Sequence, residues 1–415
     1  MRKNKSAFEK VIRQLAEPNA TMSFSAAALI SGYSQVQIRK RLKEFLIFGE
    51  STFIHKNKGK KPSTTVPLNV RRKIIATYKE KFIGYNFTFF SKMLRELYNI
   101  DYSDKTIYNI LTKAKIKSPE NRTEKKEEEI HRPRPRRKHE GELVQIDATP
   151  YQWFSWCNDS TYYSLHGSID DATGKVTALY MCENECLYGY AELIRRTFYN
   201  YPNGGHPSAI YSDRAAIFCV SPRHKENLTI AEQLTGIHEK RTQWQRMMEE
   251  LNVKQILAWS PQAKGRVERM WKTIQGRLPW YFKEKKINTI EEANQFLLEY
   301  VKIFNEEFSV EPKEKIPVWH KTGLNPDYVL CARYERTLRY NEFFSFEGYR
   351  WRLKNARFRK CKFELCVNEH GLKAYKDGNF YEVELADDFY GETTTKVLEA
   401  IIFKYYLKDM KEIAA

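Results

Sequence analysis

In Leu143-Val-Gln-Ile-Asp147-Ala-Thr149 the short apolar run Leu143–Asp147 ends on a carboxylate, and its surroundings decide the fold. Its composition and length are those of a strand. Downstream, Tyr162–Ile169 and Lys175–Cys182 are predicted to pair as a hairpin closed by Asp170-Asp-Ala-Thr-Gly174, followed by a helix over Leu187–Tyr199. A further strand, Ala209–Ser212, delivers Asp213. A helix over Thr242–Leu251, a short edge strand Lys254–Ala258, a long helix Gln262–Lys285 and a helix Ile290–Glu306 complete the region. Three antiparallel strands followed by alternating helices and strands is the order of an α/β ribonuclease-H-like core, expected over residues 141–306.

Three acids in this region stand in characteristic surroundings: Asp147, Asp213 in Ala209-Ile-Tyr-Ser-Asp213-Arg, and Glu268 in Ser260-Pro-Gln-Ala-Lys-Gly-Arg-Val-Glu268-Arg. Two end strands and one sits on a helix, so residues distant in sequence can converge on a pair of divalent ions. Phosphodiester chemistry needs an activated oxygen nucleophile and stabilised charge on the phosphoryl and leaving oxygens, which two ions held by hard oxygen ligands supply. Asp147 is the candidate bridging ligand, with Asp213 and Glu268 completing either side. Lys264 lies one helical turn before Glu268 and can share its face toward a phosphate, as can Arg266 and Arg269. Asp170 and Asp171 fall in the tight hairpin and are expected to shape the turn.

Composition agrees with a polyanionic partner. The 415 residues carry a formal charge of +18, and Met1–Ser118 alone holds 24 Lys+Arg against 8 Asp+Glu, a net of +16. Such an excess draws phosphate, and double-stranded DNA is the expected partner. No apolar run reaches membrane-spanning length and the N-terminus lacks a signal-peptide stretch, so a cytoplasmic, DNA-associated protein is expected. The seven cysteines include no C-x-x-C. Cys182-x3-Cys186 offers two zinc ligands, but no His or Cys pair at finger spacing completes four, so the cysteines are read as reduced, mostly buried thiols.

Residues 24–45 have the pattern of a helix-turn-helix, with Gly32 at the turn and Ser34 and Gln37 as a capping box opening the second helix. On that helix Val36, Ile38, Leu42 and Phe45 are expected to face inward, leaving Gln35, Arg39, Lys40 and Lys43 for a DNA groove. A second basic unit is expected from helices Val70–Lys81, Thr88–Tyr98 and Ser103–Lys115, giving helical domains over 1–62 and 63–118. Residues 119–140 form a linker whose run of alternating Arg and Pro, including Arg134, Arg136 and Arg137, is either an arm along DNA or a solvated tether. Aromatic and basic residues alternate over Tyr334–Val383, with turns at Glu347-Gly348 and Asp377-Gly378, predicting a small β-barrel over 330–385 and a C-terminal tail over 386–415 that is helical from Leu398 onward.

QID, IDDATGK, YSDR and SPQAKGRVER, in this order, resemble the catalytic core of retroviral-integrase-type DDE transposases, and the chain is most similar to insertion-sequence transposases of the ISNCY type. The resemblance implies that Asp147, Asp213 and Glu268 are the DDE acids, that two Mg²⁺ or Mn²⁺ ions per site serve as cofactor, and that the enzyme cuts element ends and joins the freed 3′-OH to target DNA. One active site per chain facing two ends implies a homodimer or higher oligomer. The chain departs from integrases in a longer spacing between Asp213 and Glu268, 54 residues, and in having Gln275 where they carry a basic residue two turns after the glutamate. A DNA-binding regulator without turnover and a ribonuclease-H-like nuclease without joining activity remain the alternatives; retention of all three acids disfavours the first, and the basic N-terminal helices disfavour the second.

Overall fold

A computed structural model describes residues 4–54, 65–119, 135–200, 205–220, 241–258, 265–339, 343–354, 358–386 and 392–407. The chain divides into two units, Met1–Thr77 and Tyr78–Ala415.

In the first unit, α1 (Lys5–Leu15), α2 (Phe24–Ser31) and α3 (Gln35–Phe48) pack around Phe8, Val11, Ile12, Ala27 and Ile38. The turn forms as its residues demand: Gly32 takes the left-handed conformation, φ 73°, and Ser34 and Gln37 close a reciprocal capping box. Helix α1 had no counterpart in the sequence reading, although Phe8, Val11, Ile12 and Leu15 recur at helical spacing. Val36 departs from its expected inward position and is 73% exposed. It lies two residues from the buried Ile38, and residues so spaced on a helix do not share a face. Helix α4 (Leu68–Lys81) straddles the division between the units.

The second unit begins with the end of α4, α5 (Phe87–Tyr98) and α6 (Asp104–Lys113). Their aromatic side chains extend into the α/β core, where Phe82 stacks on Trp280 with centroids 5.1 Å apart and Phe89 meets the same indole edge-on. The central sheet consists of β1 (Val144–Tyr151), β2 (Tyr163–Asp170), β3 (Val176–Cys182), β4 (Ala209–Ser212) and β5 (Lys254–Leu257) in the order β3-β2-β1-β4-β5. Strands β1 to β3 are antiparallel, and β1, β4 and β5 run parallel. One apolar layer joins Val144, Ile146 and Ile210 to α7 (Leu187–Asn200) and α8 (Gln243–Glu250). The other joins Leu165, Ile169 and Leu179 to α9 (Gly265–Gln275), α10 (Leu278–Lys285) and α11 (Ile290–Phe308). The single helix expected over Gln262–Lys285 is therefore two: Gly276 and Arg277 interrupt it, and Pro279, which lacks an N–H for an interior position, opens α10.

Following α12 (Pro326–Val329), strands β6 (Ala332–Leu338), β7 (Phe343–Phe346), β8 (Tyr349–Leu353), β9 (Cys361–Asn368), β10 (Gly371–Lys376) and β11 (Asn379–Leu385) form a nearly closed antiparallel barrel in the order β6-β9-β10-β11-β8-β7. Glu347-Gly348 and Asp377-Gly378 make two of its two-residue turns, with positive φ at all four residues. Helix α13 (Glu392–Ile402) and its continuation Phe403–Leu407 bury Val397, Ile401 and Tyr406 in the layer shared by the barrel and the α7–α8 face. Arg246 of α8 ties the two together by donating to the carbonyls of Val329 and Cys331. No described helix is long and apolar enough to cross a membrane.

Because Arg246→Ala would leave two buried carbonyls without their charged donor, it is expected to cost about 2–3 kcal/mol in urea denaturation. A loss below about 0.5 kcal/mol would show that the barrel is held by its apolar layer alone.

Candidate active site

Strand β1 positions the first acid, and its pairing determines what stands nearby. Its parallel partner aligns Val144 with Ile210 and Gln145 with Tyr211. Strand β1 runs on to Tyr151, past its expected end at Asp147, and the same register continued three residues beyond Val144 and Ile210 would bring Asp147, midway along β1, level with Asp213, the residue that follows β4. The half-buried Asp213 carboxylate accepts the Ala215 N–H at 2.9 Å, and Asp147 Oδ2 accepts the Trp271 indole N–H at 3.1 Å. Trp271 is buried on α9, three residues beyond the exposed Glu268 and therefore on an adjoining part of the same helix face.

The approach of Trp271 depends on a glycine. Gly167 is the antiparallel partner of Asp147, and a Cβ there would lie 2.5 Å from the Trp271 ring. Gln275 fastens the end of α9, donating to Thr149 Oγ1 at 2.9 Å. On the opposite side, the buried Tyr190 of α7 donates its hydroxyl to Glu185 at 2.6 Å. Burial pushes the pKa of that hydroxyl well up, and the carboxylates of Glu185, Asp147 and Asp213 add to the shift, so Asp147 and Asp213 both lie within electrostatic reach of one hydroxyl. Gly167, Trp271, Glu185 and Tyr190 were missed from sequence; only Trp271, one turn after Glu268, carried a local signal. Among the described residues, the set of three His, Cys, Asp or Glu ligand atoms lying mutually within 4.8 Å is His166, Cys182 and Cys186, and not the three acids.

The transposase of insertion sequence IS1202 from Streptococcus pneumoniae is 28% identical over 417 residues, spanning 92% of this chain and 84% of its own length. The protein y4bF of Sinorhizobium fredii, which bears a transposase designation, is 30% identical over 360 residues, covering 86% of this chain and 74% of its own. The chain belongs to this transposase family. No protein-family model matches it. Among solved structures, similarity extends to the simian T-cell lymphotropic virus intasome (14% identity, 76% of this chain and all of that one, TM-score 0.31) and to the catalytic core domain of BIV integrase (18% identity, 38% and 81%, TM-score 0.24).

In this transposase the two hairpin acids have separate tasks. Asp170 caps the turn, accepting the Thr173 N–H and hydroxyl with one oxygen and the Gly141 N–H with the other; burial raises its pKa despite these bonds. Asp171 is structural too, but through distant partners. Fully buried, it accepts the Arg137 N–H and the Gln145 side chain and pairs with the Arg266 guanidinium at 3.0 Å. Arg266, a candidate phosphate contact from its sequence position, fastens the first turn of α9 to the hairpin. Arg136 donates to the carbonyl of Ala172, and the Arg137 side chain pairs with Glu142. Arg269 is exposed beside Glu268, and Gln35, Arg39, Lys40 and Lys43 are all exposed along α3. Arg39 lies over the Phe24 ring, and Gln35 donates to Ser25. Arg134 and Lys264 lie outside the described residues.

Removing one member of a buried ion pair leaves the other charge uncompensated, so Asp171→Asn is expected to cost about 3 kcal/mol in urea denaturation, more than loss of a turn hydrogen bond. A cost near 1 kcal/mol, the scale of a single hydrogen bond, would mean that the pair with Arg266 adds little.

Proposed function

We propose that this transposase is a DDE enzyme of the ISNCY type that binds the ends of its element, cuts them and joins the freed 3′-OH to target DNA. What supports this reading is the β1–β4 register, Val144 with Ile210 and Gln145 with Tyr211, whose continuation would bring Asp147 level with Asp213, together with the hydrogen bond that Trp271, on the helix bearing Glu268, makes to Asp147. Three carboxylates on converging elements are a hard-oxygen donor set suited to Mg²⁺ or Mn²⁺. With Asp147 bridging and Asp213 and Glu268 on either side, two such ions would polarise the attacking oxygen and stabilise the leaving one.

The remaining work belongs to the chain. Trp271 orients one Asp147 oxygen and the Ala215 N–H orients one of Asp213. Glu268 is exposed in the first turn of α9, where its side chain can swing toward both. Arg269, with Lys264, supplies positive charge for the scissile phosphate. Gln35, Arg39, Lys40 and Lys43 meet the duplex groove and backbone, and Arg134, Arg136 and Arg137 of the linker add positive charge for the phosphates. The protein acts on double-stranded DNA in the cytoplasm, as a homodimer or higher oligomer.

Glu268→Gln removes a charge while preserving size. It is expected to abolish cleavage and joining on labelled ends and to leave DNA affinity within about twofold, because the basic helices are untouched. Wild-type strand transfer by the purified variant would sink the assignment, and a wild-type protein that cuts without joining would mark a nuclease instead. Replacing Arg39 and Lys40 together with alanine should weaken binding of element ends and reduce the slope of log affinity against log salt by about 2. An unchanged slope would move the phosphate contacts off α3.

A further inference from the structure

We infer that His166, Cys182 and Cys186 form a zinc site, distinct from the three acids, that fastens α7 to the central sheet. One ligand atom from each lies within 4.8 Å of the other two, and all three residues are buried. They come from three successive pieces of structure: the middle of β2, the last residue of β3, and the residue preceding α7. Two thiolates and an imidazole select zinc over the hard ions that carboxylates prefer.

Two further observations show that the position is built around His166. Its ring is fully buried, and Nε2 faces the Cys186 N–H at 3.3 Å. With one ring nitrogen as ligand the other carries the proton, and the backbone of Tyr180 and Ser164 is in place to accept it. Helix α7 also carries glycine where it meets the imidazole, since a Cβ on Gly189 would lie 2.3 Å from its Cε1.

An ion also has a way in. Cys182 and Cys186 border a cavity of about 510 Å³ that is also lined by Glu183, Tyr188 and Asn294. Three protein ligands and a water from this cavity complete a tetrahedron, and each thiol releases its proton to solvent as the metal binds. The site reaches toward the acids through Tyr190. Its ring stands perpendicular to the His166 imidazole, with centroids 4.8 Å apart, and its hydroxyl lies in the field of Asp147 and Asp213.

The test uses the full-length protein, purified without chelator. We expect about one zinc per chain by elemental analysis, and Co²⁺ in its place should give an intense near-ultraviolet thiolate-to-metal charge-transfer band. Cys182→Ser/Cys186→Ser should lose that band, whereas Asp147→Asn/Asp213→Asn should keep it, because carboxylates cannot produce it. Chelation of the wild-type protein should expose two further thiols to a thiol reagent, a measurement that stands even where the serine variant does not fold. Absence of both zinc and the cobalt band in wild type, persistence of the band in the serine variant, an unchanged thiol count on chelation, or a Cys182–Cys186 disulfide would each overturn the assignment.

Discussion

The hydrogen bond from Trp271 to Asp147 is the constraint around which the rest of the site is arranged. It brings the indole of α9 against the strand that carries the first acid, and this is possible only because Gly167 leaves no side chain in the way. Two other ties keep α9 in line with β1: Arg266 at its start pairs with Asp171, and Gln275 at its end bonds Thr149. Asp171 in turn receives Gln145 from β1, so the hairpin, the strand and the helix share one buried carboxylate. A helix held at its start, middle and end has little freedom to rotate, and the position of Glu268 is set by residues that need never touch a substrate.

Electrostatics and packing divide the labour. Asp147, midway along β1, and Asp213, just after β4, are half-buried, whereas Asp171 is sealed and compensated by a guanidinium and two further donors. The same residue type thus serves opposite ends according to the partners its surroundings provide. Burying a charge costs several kcal/mol unless it is paired and fully hydrogen-bonded, and those conditions hold for Asp171. Neighbouring Asp170 accepts three bonds within the turn and its approach, and burial raises its pKa despite them. Adjacent carboxylates with such different surroundings show why composition around an acid is a weaker guide than its contacts.

What was legible in the sequence was whatever local spacing encodes. The Ser34–Gln37 box, Gly32, the two-residue barrel turns and the strand Ala209–Ser212 all formed where the residues indicated, since capping and turn chemistry act within a few positions. The order of strands and helices in the core followed from the same patterns. Three of the misses share one cause. Asp171 with Arg266, Trp271 with Asp147, and His166 with the two cysteines are pairings made by the sheet and its covering helices. Cys182-x3-Cys186 lacked a third ligand at finger spacing because His166 comes from the adjacent strand, where Ser164 is paired with Cys182. The undivided helix expected over Gln262–Lys285 was a different error, in which apolar periodicity outweighed the warning in Gly276 and Pro279.

Strand β2 shows how closely the two faces of the core are joined. Successive residues on a strand point to opposite sides, so Gly167 faces α9 while His166 faces α7. Each contact is at the limit of what the packing allows and each is relieved by a glycine, Gly167 beneath Trp271 and Gly189 beneath His166. Close-packed interiors transmit such displacements instead of absorbing them. A shift of α7 against β2 would therefore be felt on the other side of the sheet, at the indole that orients Asp147. The same shift would move Tyr190, which lies in the field of Asp147 and Asp213. The placement of the acids accordingly rests on both covering layers, not on the strands alone.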